Sequence, residues 1–354
     1  LLWQPSRRFR NMIGTPQAGN RPVESSAGNP TMTPRERVLA ALNHQEPDRV
    51  PIDFGGHRSS GIAAIAYARL RKALHLDPRP IRVYDPVQQL AIVDDDGVLR
   101  LDELDALITP RTKLLSLTCV SNVLGVVNPV KGAIAAAHAR DVPVLLDGAQ
   151  AVQHMPIDVR DLDCDFFAFS GHKMYAGTGI GVLYGKRKWL EAMPPYQTGG
   201  GMILKVALNG TTFADPPLKF EAGTANIAGA LGLRAAIDYI AGIGIENIAA
   251  HEDDVYQYAL QKLGAAEGVK IFGNAPRRCG AVSFNIEGIS LFDAGMILNK
   301  LGIAVRAGNH CAEPVMRHYG TSGTVRASFG LYNTREEIDK LVEGLDRVNV
   351  LMRS

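Results

Sequence analysis

From Asp96 onward the chain carries two kinds of apolar pattern. Short apolar runs bounded by Gly, Pro, Asp or Ser have the length of buried strands, and longer stretches with apolar residues three and four apart have the period of helices. The runs predict strands at Lys113–Cys119, Val142–Leu146, Phe166–Phe169, Val269–Phe272, Ala281–Asn285 and Ile303–Arg306. Helices are predicted over Leu101–Leu107, Pro129–Arg140, Ala228–Ile240, Ile245–Leu263, Ser290–Lys300 and Glu336–Met352. In the last of these, Ile338, Leu341, Leu345 and Val348 form one apolar stripe that belongs in a core. Strand runs alternating with helices indicate an α/β fold around a mostly parallel sheet.

The chain before Asp96 reads differently. Residues 1–31 are rich in Pro, Gly, Asn, Ser and Arg without periodicity, which is the pattern of a disordered leader, and Met32 reads as a natural start. Thr33-Pro34-Arg35-Glu36 supplies an N-cap, a proline at the first helical position and an acid at N3, opening a helix Pro34–Asn43. A strand at Val50–Phe54 and a helix at Gly61–Leu74 follow. MTPRERVLAALNHQEPDRVPIDFGG resembles the N-terminus of the uroporphyrinogen decarboxylase and cobamide-methyltransferase family, a TIM-barrel group. The resemblance runs from about Met32 to about Asp95, the opening fraction of a barrel that needs ~250 residues. That family's metal and substrate residues lie beyond this block, so none is carried over, and Asp53 and His57 read as loop polar groups.

Composition narrows the classes. A chain of 354 residues, 46% of them apolar, can build two domains. The net charge of +2 gives no electrostatic case for nucleic acid or an anionic membrane. No apolar run approaches the ~20 residues that span a bilayer. The first residues, LLWQPSRRFRNMIG, lack the apolar segment of a signal peptide. Four cysteines (Cys119, Cys164, Cys279, Cys311) without CxxC spacing suit a reducing, cytoplasmic setting.

The candidate chemistry gathers at strand ends. The predicted strands over 113–119, 142–146 and 166–169 are followed by Asn122, then Asp147 and Gln150, then Ser170, His172 and Lys173. In an open parallel sheet that edge is where ligands bind. A lysine just past a buried strand, among small residues, suits covalent attachment to a carbonyl cofactor. The set fits pyridoxal phosphate: a buried Asp147 would keep the pyridine nitrogen protonated, Gln150 would donate to the phenolic oxygen, Ser170 and His172 would serve the phosphate, and Lys173 would carry the Schiff base. A strand-end Asp is also a common helix cap, so that alternative stands for Asp147 taken alone. In VRAGNHC, Arg306 and His310 flank Cys311 and are expected to favour its thiolate, whereas Cys119, Cys164 and Cys279 sit in or beside apolar runs and read as inert core thiols.

VSNVLG, DGAQAV, DCDFFAFSGHKMY, TGIGVLYGK, KFEAGT, IAVRAGNHCAEP and VRASFGLYNT occur in that order. They resemble the class V aminotransferase fold, specifically the Suf-type (group II) cysteine desulfurases and selenocysteine lyases, from about Asp96 to the C-terminus. The resemblance implies a fold-type-I pyridoxal-phosphate enzyme, with a partial cofactor-binding domain at 96–243 and a smaller α+β domain at 244–354 that carries the catalytic cysteine. Lys173 and Cys311 would be catalytic, while Asp147, Gln150, Ser170, His172 and Thr224 would bind cofactor. Asn122 and Arg326 would hold the substrate carboxylate, arginine being suited to bidentate carboxylate recognition. Thr224 would reach the phosphate of a neighbouring subunit, implying a homodimer, or else cap the helix that follows.

The short segment around Cys311, without a long insertion, is what separates group II from group I. The implied reaction converts L-cysteine to L-alanine, leaving a persulfide on Cys311 for a Suf-type acceptor in Fe–S cluster assembly. The family's glycine/threonine turn for the phosphate and its ring-stacking histidine are not found in residues 1–95, and Cys119 stands where a histidine commonly precedes VSN. The two resemblances meet near Asp95 as in a chimera, so impaired cofactor binding is expected. The alternatives are a selenocysteine lyase or other class V enzyme, a non-catalytic remnant, and a porphyrin or corrinoid enzyme reported by the N-terminal block.

Overall fold

The computed structural model describes residues 93–353 except Asn209. All of these lie in the unit Asp85–Ser354. The leader expected over 1–31 and the elements expected between Pro34 and Leu74 lie outside the described residues.

The first apolar runs become strands that are neighbours both in sequence and in space. After a short helix α1 (Leu104–Leu107) come β1 (Leu115–Thr118), α2 (Val130–His138), β2 (Val144–Asp147), α3 (Val159–Leu162) and β3 (Phe166–Ser170). β1, β2 and β3 pair in parallel. A glycine-rich return then brings β4 (Gly181–Gly185) back antiparallel to β3, so the sheet is mixed, in the order β1-β2-β3-β4. The spacing of Val130, Ala133, Ile134 and Ala137 gives α2 one buried face, which packs with Val144, Leu146 and Phe167 to form the core of this layer. α3 is capped by the Asp158 carboxylate, which accepts from the N–H groups of Arg160 and Asp161.

Beyond the sheet lie α4 (Arg187–Ala192), a hairpin of β5 (Ile203–Ala207) and β6 (Gly210–Phe213), and two long helices, α5 (Ile227–Ile243) and α6 (Ile245–Ala265). Gly244, at φ +90°, breaks the two helices apart with a 76° bend. Among the described residues no single helix is long and apolar enough to cross a membrane.

The remaining elements are β7 (Val269–Phe272), β8 (Ala281–Ile286), α7 (Leu291–Lys300), β9 (Arg306–Gly308), α8 (Glu313–His318), β10 (Thr324–Ser328) and α9 (Arg335–Arg353). Their four strands form an antiparallel sheet, β7-β8-β10-β9. The stripe Ile338, Leu341, Leu345 and Val348 of α9 is buried as expected, against Val255, Tyr256, Ala259 and Leu263 of α6, Phe284 of β8 and Leu298 of α7.

One expectation needs correction, and one strand went unpredicted. The strand expected at Ile303–Arg306 lies at Arg306–Gly308 instead. Ile303 donates its N–H back to Leu298 and, with Val305, fills the core as a loop, so pairing with β10 begins only at Arg306. β10 itself, with Val325 and Ala327 buried between polar neighbours, was hidden in a stretch too short for its alternation to stand out.

Candidate active site

Strand register levels the carboxyl ends of the parallel strands. Thr118 pairs with Asp147, and Asp147 with Ala168, so Asn122, Asp147, Gln150, Ser170, His172 and Lys173 all follow from one sheet edge. Gly148, just after Asp147, backs onto the Phe167 ring, where any Cβ would collide. β3 ends in a single 3-10 turn, Gly171–Lys173, whose first N–H bonds to the Ile180 carbonyl at 2.9 Å. A Cβ on Gly171 would sit 2.7 Å from the Ile180 side chain, so the close return of β4 requires glycine here. The turn sets Ser170 Oγ 2.9 Å from His172 Nδ1. It also leaves Lys173 half-buried, with no hydrogen-bond or ion-pair partner among the described residues.

Asp147 departs from expectation, because it is exposed rather than buried. β2 turns Val144 and Leu146 onto the α2 side, which puts Asp147 on the opposite, open face, and its Oδ1 accepts from the Ala149 N–H at 2.8 Å. Gln150 is half-buried, its Oε1 3.5 Å from Gln153 Nε2. Thr224 is exposed and does not cap α5; that role belongs to Asn226, whose side chain accepts from Gly229 N–H and donates to the Gly179 carbonyl.

The second half of the site is built on β9 and β10. Arg326 and Arg306 face each other directly across the antiparallel ladder, a like-charge pair that is unfavourable unless an anion lies against it. Neither guanidinium forms an ion pair among the described residues, and Arg326 Nε is buried without a partner. Burial, reinforced by the charge of Arg306, lowers the Arg326 pKa from its ordinary value. Arg326 Nη1 donates to the Asn122 backbone carbonyl at 2.8 Å, and Asn122 Nδ2 donates to the His310 carbonyl at 2.7 Å. The expected carboxylate pair is therefore in contact, and it touches the residue that precedes Cys311.

Cys311 is exposed, while Cys119 and Cys164 are buried and Cys279 is half-buried. His310 does not play the electrostatic part expected of it. Its ring is 1% exposed, with Nε2 3.0 Å from both the carbonyl and the hydroxyl of Thr324. Burial, with Arg326 and Arg306 adding to it, pushes its pKa down to about 4. A neutral imidazole lends no positive charge to the neighbouring thiol.

The sequence reading missed two buried polar clusters. His154 Nδ1 lies 2.6 Å from Glu252 Oε2, and both residues are buried. Glu252 falls on the buried stripe of α6 (Ile248, Glu252, Val255, Tyr256, Ala259), so an acid on an apolar helical face was the available signal. Asp165 is contacted by Trp189 Nε1, His138 Nε2 and the Val144 N–H at 2.7 to 2.9 Å. Burial alone would raise its pKa, but these hydrogen bonds outweigh it and hold the carboxyl below the usual range.

The aminotransferase class-V family model matches residues 87–341, covering both sheets and every candidate residue. The chain belongs to the class-V aminotransferase family. A cysteine desulfurase of Pectobacterium atrosepticum is 50% identical over 261 residues, 73% of this chain and 64% of that protein. One from Pectobacterium carotovorum subsp. carotovorum is 49% identical over 362 residues, 98% of this chain and 89% of its own. The crystal structure of a cysteine desulfurase from Escherichia coli superposes with a TM-score of 0.69 at 41% identity, over 73% of this chain and 64% of that one. The chain thus spans just under two thirds of the Pectobacterium atrosepticum relative's length.

For a class-V aminotransferase the donor set is chemically apt. A lysine without a partner among the described residues, a strand-end carboxylate, an amide and a Ser–His pair follow one sheet edge, and their chemistry would suit the aldehyde, ring nitrogen, phenolic oxygen and phosphate of pyridoxal phosphate.

Proposed function

We propose that the chain is a pyridoxal-phosphate-dependent cysteine desulfurase that converts L-cysteine to L-alanine and leaves the sulfur as a persulfide on Cys311. One observation carries the reading: the Arg306–Arg326 pair, which has no ion-pair partner among the described residues and whose buried Arg326 Nε has no partner among them, stands one hydrogen bond from Asn122 and two from the Cys311 loop. A carboxylate satisfies that pair, and a substrate held by its carboxylate there lies between the lysine edge and the thiol.

Lys173 would hold the cofactor aldehyde, Asp147 its ring nitrogen, Gln150 its phenolic oxygen, and Ser170 and His172 its phosphate. When bound, that cofactor supplies an electron sink next to the substrate α-carbon. Arg326 and Asn122 orient the substrate carboxylate. The Cys311 thiolate attacks the substrate sulfur: the new S–S bond forms as the C–S bond breaks, the carbon takes a proton, and alanine departs. Thiol and cysteine in, persulfide and alanine out, the step balances without an external oxidant.

The finer readings are parts of the same proposal. The short segment around Cys311 supports the group II, Suf-type class and sulfur transfer to a Suf-type acceptor protein for Fe–S cluster assembly. Thr224, exposed beside the Asn226–Gly179 contact, supports a phosphate contact across a homodimer. So do the exposed apolar residues Ile227, Leu231 and Tyr239 on α5 and Leu204 and Val206 on β5. A large domain at 96–243 and a small one at 244–354, a decarboxylase-like graft before Asp96, and a cytoplasmic, reducing setting complete the picture. Because a glycine/threonine phosphate turn and a ring-stacking histidine are not found in residues 1–95, we expect weak cofactor affinity for this sequence. Selenocysteine is the alternative substrate, read out by competition.

The test is alanine release from L-cysteine with added pyridoxal phosphate. Lys173→Ala and Cys311→Ala should each abolish it, and Arg326→Lys should raise KM for cysteine by about tenfold or more, because a bidentate fork is lost. Alanine release that persists in Cys311→Ala would overturn the proposal.

A further inference from the structure

Two consecutive non-glycine residues, His310 and Cys311, are held in the left-handed region at φ +54° and +58°. L residues avoid that conformation, and it persists only where the surroundings fix it. Three hydrogen bonds do so here, and they close on themselves through one strand. Arg326 of β10 donates to the Asn122 backbone carbonyl, the Asn122 side chain donates to the His310 backbone carbonyl, and the His310 ring returns to Thr324, two residues from Arg326 on β10.

His310 Nε2 lies 3.0 Å from the Thr324 carbonyl, which only accepts, and 3.0 Å from the Thr324 hydroxyl, which can accept or donate, so a proton on Nε2 satisfies the carbonyl. Nδ1 is buried and has no partner among the described residues. A second proton there would find no acceptor, and two guanidiniums, Arg326 and Arg306, stand close by. The buried imidazole is thus a neutral, one-proton strut.

We propose that His310 is a positioning residue. Through Thr324 on one side and Asn122 on the other, it clamps the Cys311 loop in its left-handed turn and ties the thiol to the residues that receive the substrate carboxylate. Asn122 Nδ2 has two hydrogens and spends one on the His310 carbonyl. The other is left for a carboxylate, so one amide group sets the spacing between substrate and thiol. Occupation of the carboxylate site and placement of the thiol become one event. The inference rests on Cys311 being the sulfur-accepting thiol, and its test is built so that the two can fail separately.

The test compares His310→Phe, which keeps a ring but loses the donor, with His310→Gln, which restores an N–H near the Nε2 position. The full-length chain is followed by amide hydrogen exchange, a readout that needs neither cofactor nor turnover. Exchange over 309–312 should quicken about tenfold or more in His310→Phe and return toward the parent in His310→Gln, with the rest of the small sheet unchanged. In turnover with added cofactor, His310→Phe should lower kcat about 100-fold, as misplacement by about an ångström does, while KM for cysteine stays within about threefold. His310→Gln should recover most of that loss. Should His310→Phe not fold, Asn122→Ala removes the opposite strut and must loosen the same residues. Exchange over 309–312 that stays at the parent rate in either loosening variant, or His310→Gln as loose as His310→Phe, overturns the clamp. A parent protein that forms no persulfide on Cys311 overturns the desulfurase reading instead and leaves the exchange result to judge the clamp alone.

Discussion

Cys119 and Cys279 each have a thiol pushed up to about 12, chiefly by burial, with the charges of Asp147 and Glu252 respectively adding to it. Burial raises Cys164 as well. A thiol that stays protonated is a poor nucleophile, so the exposed Cys311 should react with iodoacetamide in the native protein roughly a hundredfold faster than the other three. Peptide mapping of a timed alkylation checks this. His310 gives a pH dependence of its own. Its folded pKa is depressed to about 4 from 6.5, so between those values the unfolded chain takes up a proton that the folded chain refuses. Its contribution is complete above pH 6.5 and is lost as pH falls toward 4, on the order of 3 kcal/mol in all. Urea midpoints of the parent and His310→Gln should therefore converge across that range as acidity increases. The strand-end placement of Asp147, Gln150 and Lys173 could be read in the sequence because position after an apolar run is a linear property. The state of His310 could not: its neighbour in sequence is the thiol, but its ring is hydrogen-bonded to Thr324, on the far side of α8 in the chain. The exposure of Asp147 escaped for a similar reason, since it depends on what covers the open face of β2.

At the scale of elements, periodicity located the helices well because their buried faces recur over many residues, as the α9 stripe does. Short strands carry too few residues for that. β9 was placed three residues early because Ile303 and Val305 look like strand residues while serving as core loop, and β10 became visible only through its pairing with β8 and β9. The VSNVLG loop shows how an element is positioned. Gly125, at φ +69°, accepts from the Cys279 N–H, and a Cβ there would lie 2.5 Å from the carbonyl oxygens of Cys279 and Ala281. Only glycine lets this loop approach β8 so closely, and the approach brings Asn122 to His310. Gly125→Ala should cost about 2–4 kcal/mol, from left-handed strain and overpacking together, and should raise KM for cysteine through displaced Asn122. Denaturant unfolding and cysteine kinetics read the two effects separately. A Gly125→Ala protein with parent stability would contradict this account of the loop.

The whole molecule brings a lysine edge on one sheet to a thiol edge on another, joined by the Asn122–Arg326 and Asn122–His310 contacts. Chain order alone showed that the lysine edge exists. That the thiol edge meets it depends on contacts between residues some two hundred positions apart, which no local pattern encodes. Class-V family membership fixes the architecture, and the Arg306–Arg326 couple, without an ion-pair partner among the described residues, is the basis of the proposed carboxylate site. The central claim is that sulfur leaves cysteine for Cys311. The most direct measurement is mass-spectrometric mapping of the protein after incubation with L-cysteine and pyridoxal phosphate, with free thiols blocked before digestion. One added sulfur should appear on the peptide containing Cys311, removable by a reductant and absent in Lys173→Ala. Sulfur found on Cys119, Cys164 or Cys279, or a Cys311 peptide that stays unmodified while alanine accumulates, would contradict it.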